Sequence, residues 1–334
     1  MSGRNPLDEL PAGAKIQLRK RAQPGWVAPM LATLTDERFS REGWLFEPKW
    51  DGERCLAFRR GADLNLFSRN RIQLNAKYPE VVEAIYQQQV ASFIADGEIV
   101  TFKDGITSFA KLQARMQVKH PSAALLRKVP VWFYLFDLLY LDHYDIRQVP
   151  LRYRKEVLHK AFDFQGTLRF TEHRETEGEA YYRKACQRGE EGVIAKNGDS
   201  VYVSKRTRDW LKFKCRQEQE FVIGGYTDPR GTRSGFGALL LGVYHHGKLA
   251  YAGKVGTGFD HDTLRRLSLK LAQLKTPRSP FADDELPRRG VHWVIPKLVA
   301  QIGFTEWTAG GKLRHPQFLG LREDKRPEDV AREG

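Results

Sequence analysis

Apolar runs and amphipathic segments alternate along the first two thirds of the chain. Short runs rich in branched or aromatic side chains predict strands at 64–67, 93–100, 131–140, 192–195 and 211–213. Apolar residues spaced three and four apart predict helices at 79–88, 108–116, 151–162 and 176–188. Because the alternation is irregular and many strands resemble hairpins, the pattern favours an α+β domain over a doubly wound parallel sheet.

A polar segment at 217–220, Gln-Glu-Gln-Glu, is interpreted as a hinge, and the pattern changes after it. Strands are predicted at 221–226, 237–244, 249–254, 293–302 and 305–307, with one helix at 262–274. This content fits a small β-barrel of the OB type. The expected organisation is a basic N-terminal arm at 1–25, an α+β domain at 26–216, the hinge, and a barrel domain at 221–334.

The 334-residue chain carries 55 Lys and Arg against 41 Asp and Glu, a formal net charge of +14. Such an excess favours nucleic acid or another polyanion as a partner, because cationic side chains displace the counterions of phosphates. The alternative is charge that only maintains solubility. The N-terminal arm, with Lys15, Arg19, Lys20 and Arg21, is expected to be mobile or to lie on DNA.

The three cysteines, Cys55, Cys186 and Cys215, show neither metal-ligand spacing nor a disulfide framework. They are predicted to be reduced thiols in a cytoplasmic protein. No apolar run approaches the roughly 18 residues of a membrane span, and the N-terminus lacks the apolar core of a signal peptide. We therefore expect a protein that stays inside the cell and has no membrane association.

The segment Glu47-Pro48-Lys49-Trp50-Asp51-Gly52-Glu53-Arg54 places one lysine between two apolar runs, just before an Asp-Gly turn. Desolvation and neighbouring cations are predicted to lower the pKa of Lys49 and free its amine as a nucleophile. The alternative is a hairpin turn with solvated charges, since Asp-Gly is common in turns.

Three further segments carry charged residues at or within predicted strands. Arg69 ends a strand with a guanidinium suited to phosphate, although an ordinary strand-end arginine is the alternative. Glu98 lies inside an apolar run, where its charge needs a sugar hydroxyl, a cation, a metal or a structural ion pair. Glu191, at the start of another strand, could bind a divalent cation through oxygen.

Two lysines near residue 213 share one face of a predicted strand. Lys212 and Lys214 alternate with Leu211 and Phe213, so the lysines face phosphate or, alternatively, solvent. A second cationic cluster lies at 312–325, where a charged tail is the usual explanation. One nucleophilic lysine with carboxylates and cations suits nucleotidyl transfer through a covalent lysine–phosphate bond.

These segments, in this order, resemble the ATP-dependent DNA ligases of the covalent nucleotidyltransferase superfamily, from about residue 29 to 325. The matching motifs are Lys49-Trp50-Asp51-Gly52-Glu53-Arg54, Ser68-Arg69-Asn70, Asp96-Gly97-Glu98, Phe136-Asp137, Glu191-Gly192-Val193-Ile194-Ala195-Lys196, Trp210-Leu211-Lys212-Phe213-Lys214 and Arg322-Glu323-Asp324-Lys325. Further runs, including Leu313-Arg314-His315-Pro316, look like bacterial ligases of the end-joining and stand-alone repair type, and a minimal stand-alone form is expected.

The resemblance implies an adenylyltransferase domain followed by an OB-fold domain, with ATP and Mg²⁺ or Mn²⁺ as cofactors. It also implies a role for each matching residue. Lys49 would be adenylylated, and Lys212 and Lys214 would contact the α-phosphate. Glu47 would meet the adenine amino group, Phe136 and Ile194 would sandwich the ring, and Arg54 and Glu98 would bind the ribose region. Arg69 would touch AMP or the DNA 5′-phosphate, Glu191 and Glu98 would support the metal, and Arg322 with Asp324 and Lys325 would orient pyrophosphate.

The implied partner is nicked duplex DNA, bound by a monomer, with a Ku-like end-binding protein as a further candidate. The resemblance departs from the family at 205–208, which is more basic than usual, and the helical DNA-binding domain of eukaryotic ligases has no counterpart here. Nick binding is therefore expected to use the N-terminal arm and the loop at 228–235, with Arg230 and Arg233. The alternative functions are an RNA ligase, an mRNA-capping guanylyltransferase, or a nick-binding module without chemistry.

Overall fold

The computed structural model describes residues 5–215, 217–229, 235–283, 286–287, 289–308 and 310–333. The chain forms two compact units, Met1–Cys215 and Arg216–Gly334. Arg230 and Arg233, which are predicted to contact DNA, lie outside the described residues. Within the described part of the chain, no helix has the length and apolar character needed to cross a membrane.

The first unit is an α+β domain, as the sequence predicts. Its strands are β1 (Arg19–Lys20), β2 (Leu31–Leu34), β3 (Trp44–Pro48), β4 (Glu53–Arg60), β5 (Asp63–Ser68), β6 (Ser92–Val100), β7 (Phe102–Lys103), β8 (Ile106–Thr107), β9 (Trp132–Leu141), β10 (Tyr144–Asp145), β11 (Leu168–Phe170), β12 (Arg174–Glu175), β13 (Gly192–Asn197) and β14 (Arg206–Lys214). Its helices are α1 (Ala12–Lys15), α2 (Pro79–Tyr86), α3 (Phe109–Met116), α4 (Ala123–Lys128), α5 (Leu151–Ala161) and α6 (Gly178–Gln187).

Two sheets of this unit face each other across an apolar cluster. One sheet has the order β1-β10-β9-β6-β4-β5, with β11 added in parallel to β9, and the other has the order β12-β3-β13-β14-β2. Residues from both sheets share the cluster, and the rings of Phe136 on β9 and Trp210 on β14 meet edge to face. On the outer side of the second sheet, Phe213 packs in a cluster with residues of α6. Alternation along β14 therefore turns Lys212 and Lys214 away from that cluster.

The N-terminal segment, expected to be a mobile or DNA-lying arm, is part of the first unit. Leu7, Leu10 and Ala14 are buried in its main core. Strand β1 continues the sheet by pairing antiparallel with β10. The prediction weighed the basic residues of this segment and missed its three buried apolar positions. Along the described residues from 5 to 20, apolar burial and strand pairing attach the segment to the domain.

The second unit is the OB-type domain that the sequence predicts. Its strands are β15 (Gln217–Thr227), β16 (Leu239–His245), β17 (Lys248–Val255), β18 (Lys275–Thr276), β19 (Val291–Phe304), β20 (Glu306–Trp307), β21 (Leu313–Arg314) and β22 (Gln317–Leu321), and its helix is α7 (His261–Gln273). The main sheet has the order β17-β16-β15-β19-β18, with β22 also paired to β19. Apolar residues of this sheet and of α7 form its core.

The polar segment at 217–220, interpreted as a hinge, is the first part of β15. Gln217 pairs with Phe304 of β19, so the strand already belongs to the barrel sheet. Gln219 is buried, donates to the carbonyl of Ala331 and accepts from the amide of Glu333. Gln219 thus contacts the C-terminal segment, and the boundary between the units falls one residue before β15. The hinge at 217–220 remains a prediction.

Two of the cysteines form a disulfide, which corrects the prediction of reduced thiols. Cys186 at the end of α6 is bonded to Cys215, the residue after β14, while Cys55 is free and buried. Sequence spacing does not indicate this pair, because the two residues meet only when α6 packs against the second sheet. The disulfide fixes the C-terminal end of β14 to α6.

Candidate active site

Lys49 lies in a tight turn immediately after β3. Its amide N–H donates to the carbonyl of Gly192 at 3.0 Å, which joins the turn to the start of β13. On the other side, a Cβ on Gly52 would lie 2.2 Å from the carbonyl oxygen of Ile99, so the turn packs directly against the β6 backbone. The Lys49 side chain is 16% exposed and is therefore held in a largely dehydrated position.

The amine of Lys49 forms an ion pair with the carboxylate of Glu191. Burial lowers the pKa of Lys49, but the charge of Glu191, with smaller effects from Asp51 and Glu98, outweighs burial and raises that pKa. The predicted lowering is therefore wrong for this state of the protein. The groups closest to the amine are carboxylates, whereas the prediction assumed neighbouring cations.

Glu47, which precedes Pro48 at the end of β3, lies between two buried lysines. Its Oε1 lies 2.6 Å from Lys155 Nζ, and its Oε2 lies 2.6 Å from Lys196 Nζ. Burial alone would raise the pKa of Glu47, but the two lysines lower it, so the carboxylate is ionised. Burial lowers the pKa of Lys196 to about 8, against the opposing effect of Glu47. The Glu47 carboxylate is therefore a fixed acceptor, and the Lys196 ammonium beside it is a fixed donor.

The residues predicted to hold the adenine ring come from the two facing sheets. Phe136 is buried, with Lys196 Nζ 4.1 Å and Arg54 Cζ 4.6 Å from its ring centroid. Lys196 also lies 4.2 Å from the ring centroid of Trp210. Ile194 occupies the same face of β13 as Lys196 and pairs in register with Glu47, so it projects toward the sheet that carries Phe136.

Arg54 is held by a buried carboxylate that the sequence did not single out. Its Nε and Nη2 donate to the two oxygens of Asp96 at 2.5 and 2.6 Å. Tyr202 also donates to Asp96, at 2.6 Å. Glu98 pairs in register with Arg54 on the adjacent strand, which places both residues predicted for the ribose region side by side.

Arg69 lies in the turn after β5, at the edge of the seven-stranded sheet, and is half-buried. The turn is closed by the amide of Arg71, which donates to the carbonyl of Ser68 at 2.9 Å. The predicted contact of Arg69 with AMP or a DNA phosphate remains a prediction.

Lys212 and Lys214 lie on the inner face of the second sheet. Lys212 pairs in register with Ile194, and Lys214 pairs with Gly192, the residue directly after Glu191. Both lysines are half-buried, whereas the intervening Phe213 is buried on the opposite face. The strand thus brings two cations beside Ile194 and beside the segment that carries the Lys49 ion pair.

Arg322 and Lys325 belong to the second unit. Arg322 donates to both oxygens of Asp324, at 2.9 and 2.8 Å, and Lys325 Nζ lies 2.9 Å from an oxygen of Glu220. Burial would raise the pKa of Asp324, but Arg322 lowers it, so this carboxylate is ionised.

Lys155 was missed by the sequence reasoning although a signal was present. It falls on the apolar face of α5, four residues after Leu151 and three before Leu158, both of which are buried. A lysine on the buried face of an amphipathic helix requires a counter-ion. Here that counter-ion is Glu47, which lies on a strand about 100 positions earlier.

A largely buried lysine in the connection between two sheets, followed by an OB-type unit, is the architecture of covalent nucleotidyltransferases. Two family models match the chain: the ATP dependent DNA ligase domain over residues 29–214, and the ATP dependent DNA ligase C terminal region over residues 232–325. The chain therefore belongs to the family of ATP-dependent DNA ligases.

Individual relatives agree with this assignment. The chain is 35% identical over 323 residues to the multifunctional non-homologous end joining protein LigD of Pseudomonas aeruginosa, covering 94% of this chain and 37% of that protein. It is 37% identical over 316 residues to the multifunctional non-homologous end joining DNA repair protein LigD of Mycobacterium tuberculosis, covering 92% of this chain and 40% of that protein. The chain thus spans about two fifths of the length of these curated relatives.

One solved structure gives the same fold. The structure described as mycobacterial DNA ligase D complexed with ATP and MES is 35% identical to this chain and superposes with a TM-score of 0.64. The match covers 92% of this chain and 98% of that one. The α+β domain and the OB-fold domain predicted from the sequence are confirmed by these matches.

Proposed function

We propose that this chain is an ATP-dependent DNA ligase that seals nicks with a 5′-phosphate and a 3′-hydroxyl through a lysyl-AMP intermediate. The observation that carries the proposal is the largely buried Lys49 amine, paired with Glu191 at the start of the strand next to Lys212 and Lys214. A nucleophile, a carboxylate and two cations on adjacent segments suit attack at a phosphate.

In the first step, Lys49 Nζ bonds to the α-phosphorus of ATP while the bond to pyrophosphate breaks. Lys212 and Lys214 would stabilise the negative charge that develops on the α-phosphate oxygens. The ammonium of Lys49 must lose a proton first, and the Glu191 carboxylate is in contact with it. Loss of the Glu191 charge would lower the pKa of Lys49, because burial also lowers it, and would increase the neutral, nucleophilic fraction of the amine.

The buried pair of Glu47 and Lys196 supports a preference for adenine over guanine. Adenine presents an amino donor next to the N1 acceptor, which matches a carboxylate beside an ammonium group. Guanine presents a carbonyl acceptor next to an N1–H donor, so each contact would be reversed. Phe136 and Ile194 would hold the faces of the ring, while Arg54 and Glu98 would bind the ribose region.

The carboxylates around Lys49 suit a magnesium or manganese ion that arrives with the nucleotide. Glu191, Asp51 and Glu98 all act electrostatically on Lys49, and hard oxygen donors are the ligands of such ions. Among the described residues, no set of three potential ligands is arranged to hold a metal without further ligands. Glu191 and Glu98 would hold the ion, which would neutralise charge on the phosphates.

In the later steps, AMP passes from Lys49 to the DNA 5′-phosphate, and the 3′-hydroxyl then displaces AMP to form the phosphodiester bond. Arg69 would contact the AMP or the 5′-phosphate, and Arg230 and Arg233 would contact the duplex. Arg322 and Lys325 would orient pyrophosphate, a role that requires a domain rotation between adenylylation and DNA engagement. Double-strand break repair at the nucleoid, with recruitment by a Ku-like protein, is the proposed context for this monomer.

The proposal is tested by incubation with ATP or GTP labelled at the α-phosphate, followed by denaturing electrophoresis. We expect label from ATP that is absent in Lys49→Ala, and a chase with nicked duplex should yield sealed DNA. Label from GTP would indicate a capping guanylyltransferase, and transfer only to nicked RNA would indicate an RNA ligase. Absence of label in the intact protein would leave only a nick-binding module.

A further inference from the structure

Four charged side chains of the second unit form a compact, partly buried cluster that joins the two ends of this unit. Glu220 comes from β15, while Arg322, Asp324 and Lys325 follow β22. The side chains are between 1% and 20% exposed.

Each carboxylate contacts a different cation: Asp324 pairs with Arg322, and Glu220 pairs with Lys325. Both oxygens of Asp324 accept from Arg322, which gives this pair a bidentate geometry. Lys325 Nζ lies 2.9 Å from Oε1 of Glu220, and Arg322 Nη1 lies 4.0 Å from the same oxygen. Glu220 is thus the carboxylate in direct contact with Lys325 and a second, more distant counter-ion for Arg322.

The sheet fixes the location of Glu220. Its partner in register is Gln301 on β19, and β19 also pairs with β22 through Ala300 and Leu321. The amide of Arg322 continues this pairing by donating to the carbonyl of Val299 at 2.8 Å. Strand β15 therefore presents the Glu220 carboxylate to Arg322 and Lys325 in the segment after β22.

We propose that Glu220 is a positioning residue for the adenylylation of Lys49 by ATP, acting through Lys325 and Arg322. A lysine side chain has a flexible four-carbon stem and keeps one geometry only where a partner holds it. Glu220 holds the Lys325 ammonium in one place within the second unit. This inference rests on the proposed function, in which Arg322 and Lys325 orient pyrophosphate.

The test separates the adenylylation step from the sealing step in the full chain. Glu220→Ala removes the partner, and Glu220→Gln keeps an oxygen that can accept from Lys325 but removes the charge. Glu323→Gln is the matched control, because this neighbouring carboxylate pairs with Lys270 at 2.6 Å. The measurements are the dependence of Lys49–AMP formation on ATP, its reversal by pyrophosphate, and sealing of a nick that is already 5′-adenylylated.

We expect Glu220→Ala to lower kcat/KM for adenylylation about tenfold and to raise the pyrophosphate concentration needed for reversal by a similar factor. Glu220→Gln should show a smaller loss, and sealing of the adenylylated nick should stay within about twofold of the wild type in both variants. Glu323→Gln should match the wild type in every assay.

Two results would overturn the inference. One is a Glu220→Gln or Glu220→Ala protein that is folded and adenylylates Lys49 like the wild type. The other is an equal loss in adenylylation and in sealing of the adenylylated nick, which would make Glu220 a structural ion-pair partner only. If the wild-type chain itself forms no Lys49–AMP, the proposed function fails, and this result is distinct from either outcome.

Discussion

Lys49 and Glu191 are joined at two points, by an ion pair between their side chains and by a backbone hydrogen bond from Lys49 to the residue after Glu191. The backbone bond fixes where the lysine stem begins, and the carboxylate fixes where the amine ends. The Lys49 amine is therefore held as an ammonium group in a defined place, rather than as the neutral amine that the sequence alone suggested.

Glu191→Gln should make Lys49 more reactive toward acetic anhydride at pH 8. The charge of Glu191 is what overcomes burial and raises the pKa of Lys49, so its removal increases the neutral fraction of the amine. Mass spectrometry of the Lys49 peptide measures the rate. Glu190→Gln is the matched control, because Glu190 pairs with Arg188. A Lys49 rate unchanged by Glu191→Gln would show that Glu191 does not control this amine.

Lys155→Met should lower the free energy of unfolding by on the order of 3 kcal/mol, because it removes one of two cations from a buried carboxylate. Glu47 would keep only Lys196, and the Thr171 carbonyl would lose the donor that it now accepts from. Urea denaturation measures the change. Lys160→Met on the same helix removes an exposed pair with Glu9 and should leave the midpoint unchanged. Equal midpoints for both variants would refute the prediction.

Lys196 should make the folded protein more stable as the pH rises from about 8 toward 10.5. Burial lowers the pKa of Lys196 from 10.5 to about 8 on folding. Between these values the unfolded chain binds more protons at this group than the folded chain does, so stability increases with pH. Urea denaturation should show that the free energy of unfolding of the wild type, relative to that of Lys196→Met, is larger at pH 9.5 than at pH 7. A constant difference between the two proteins would contradict the assigned pKa shift.

Reduction of the disulfide between Cys186 and Cys215 should destabilise the first unit. The bond closes a loop with a sequence separation of 29 residues, for which the chain-entropy relation gives roughly 3 to 4 kcal/mol. Thermal or urea denaturation with and without dithiothreitol measures the effect, and the double variant Cys186→Ser plus Cys215→Ser should not respond. The disulfide makes no stabilising contribution if the reductant leaves the wild-type midpoint in place.

The elements near the site were largely predictable because their patterns are local. The alternation of Lys212 and Lys214 with buried apolar residues, and the strand of Ile194, appear in the structure as the sequence indicated. The lysine turn was located for the same reason, since Gly52 and the flanking apolar runs are visible in a short window.

The pairings across the fold were not predictable in this way. Lys155, Asp96 and the partner of Cys186 each acquire their role from a residue far away in the sequence. The polar start of β15 shows the same limit, because four polar residues resemble a link until their partners on β19 and near the C-terminus are known. The periodicity of side chains predicts a helix or strand, whereas the counter-ion of a buried charge depends on which elements the fold brings together.

Gly52 limits how far the sequence of the lysine turn can drift over evolution. The obstacle to any side chain at this position is a backbone carbonyl, which cannot rotate out of the way as a flexible side chain would. In a library of all single substitutions selected for growth that depends on nick sealing, position 52 should be depleted as strongly as position 49. We therefore expect substitutions in this turn to be limited as tightly by the Ile99 carbonyl, an atom with no part in the chemistry, as by Lys49.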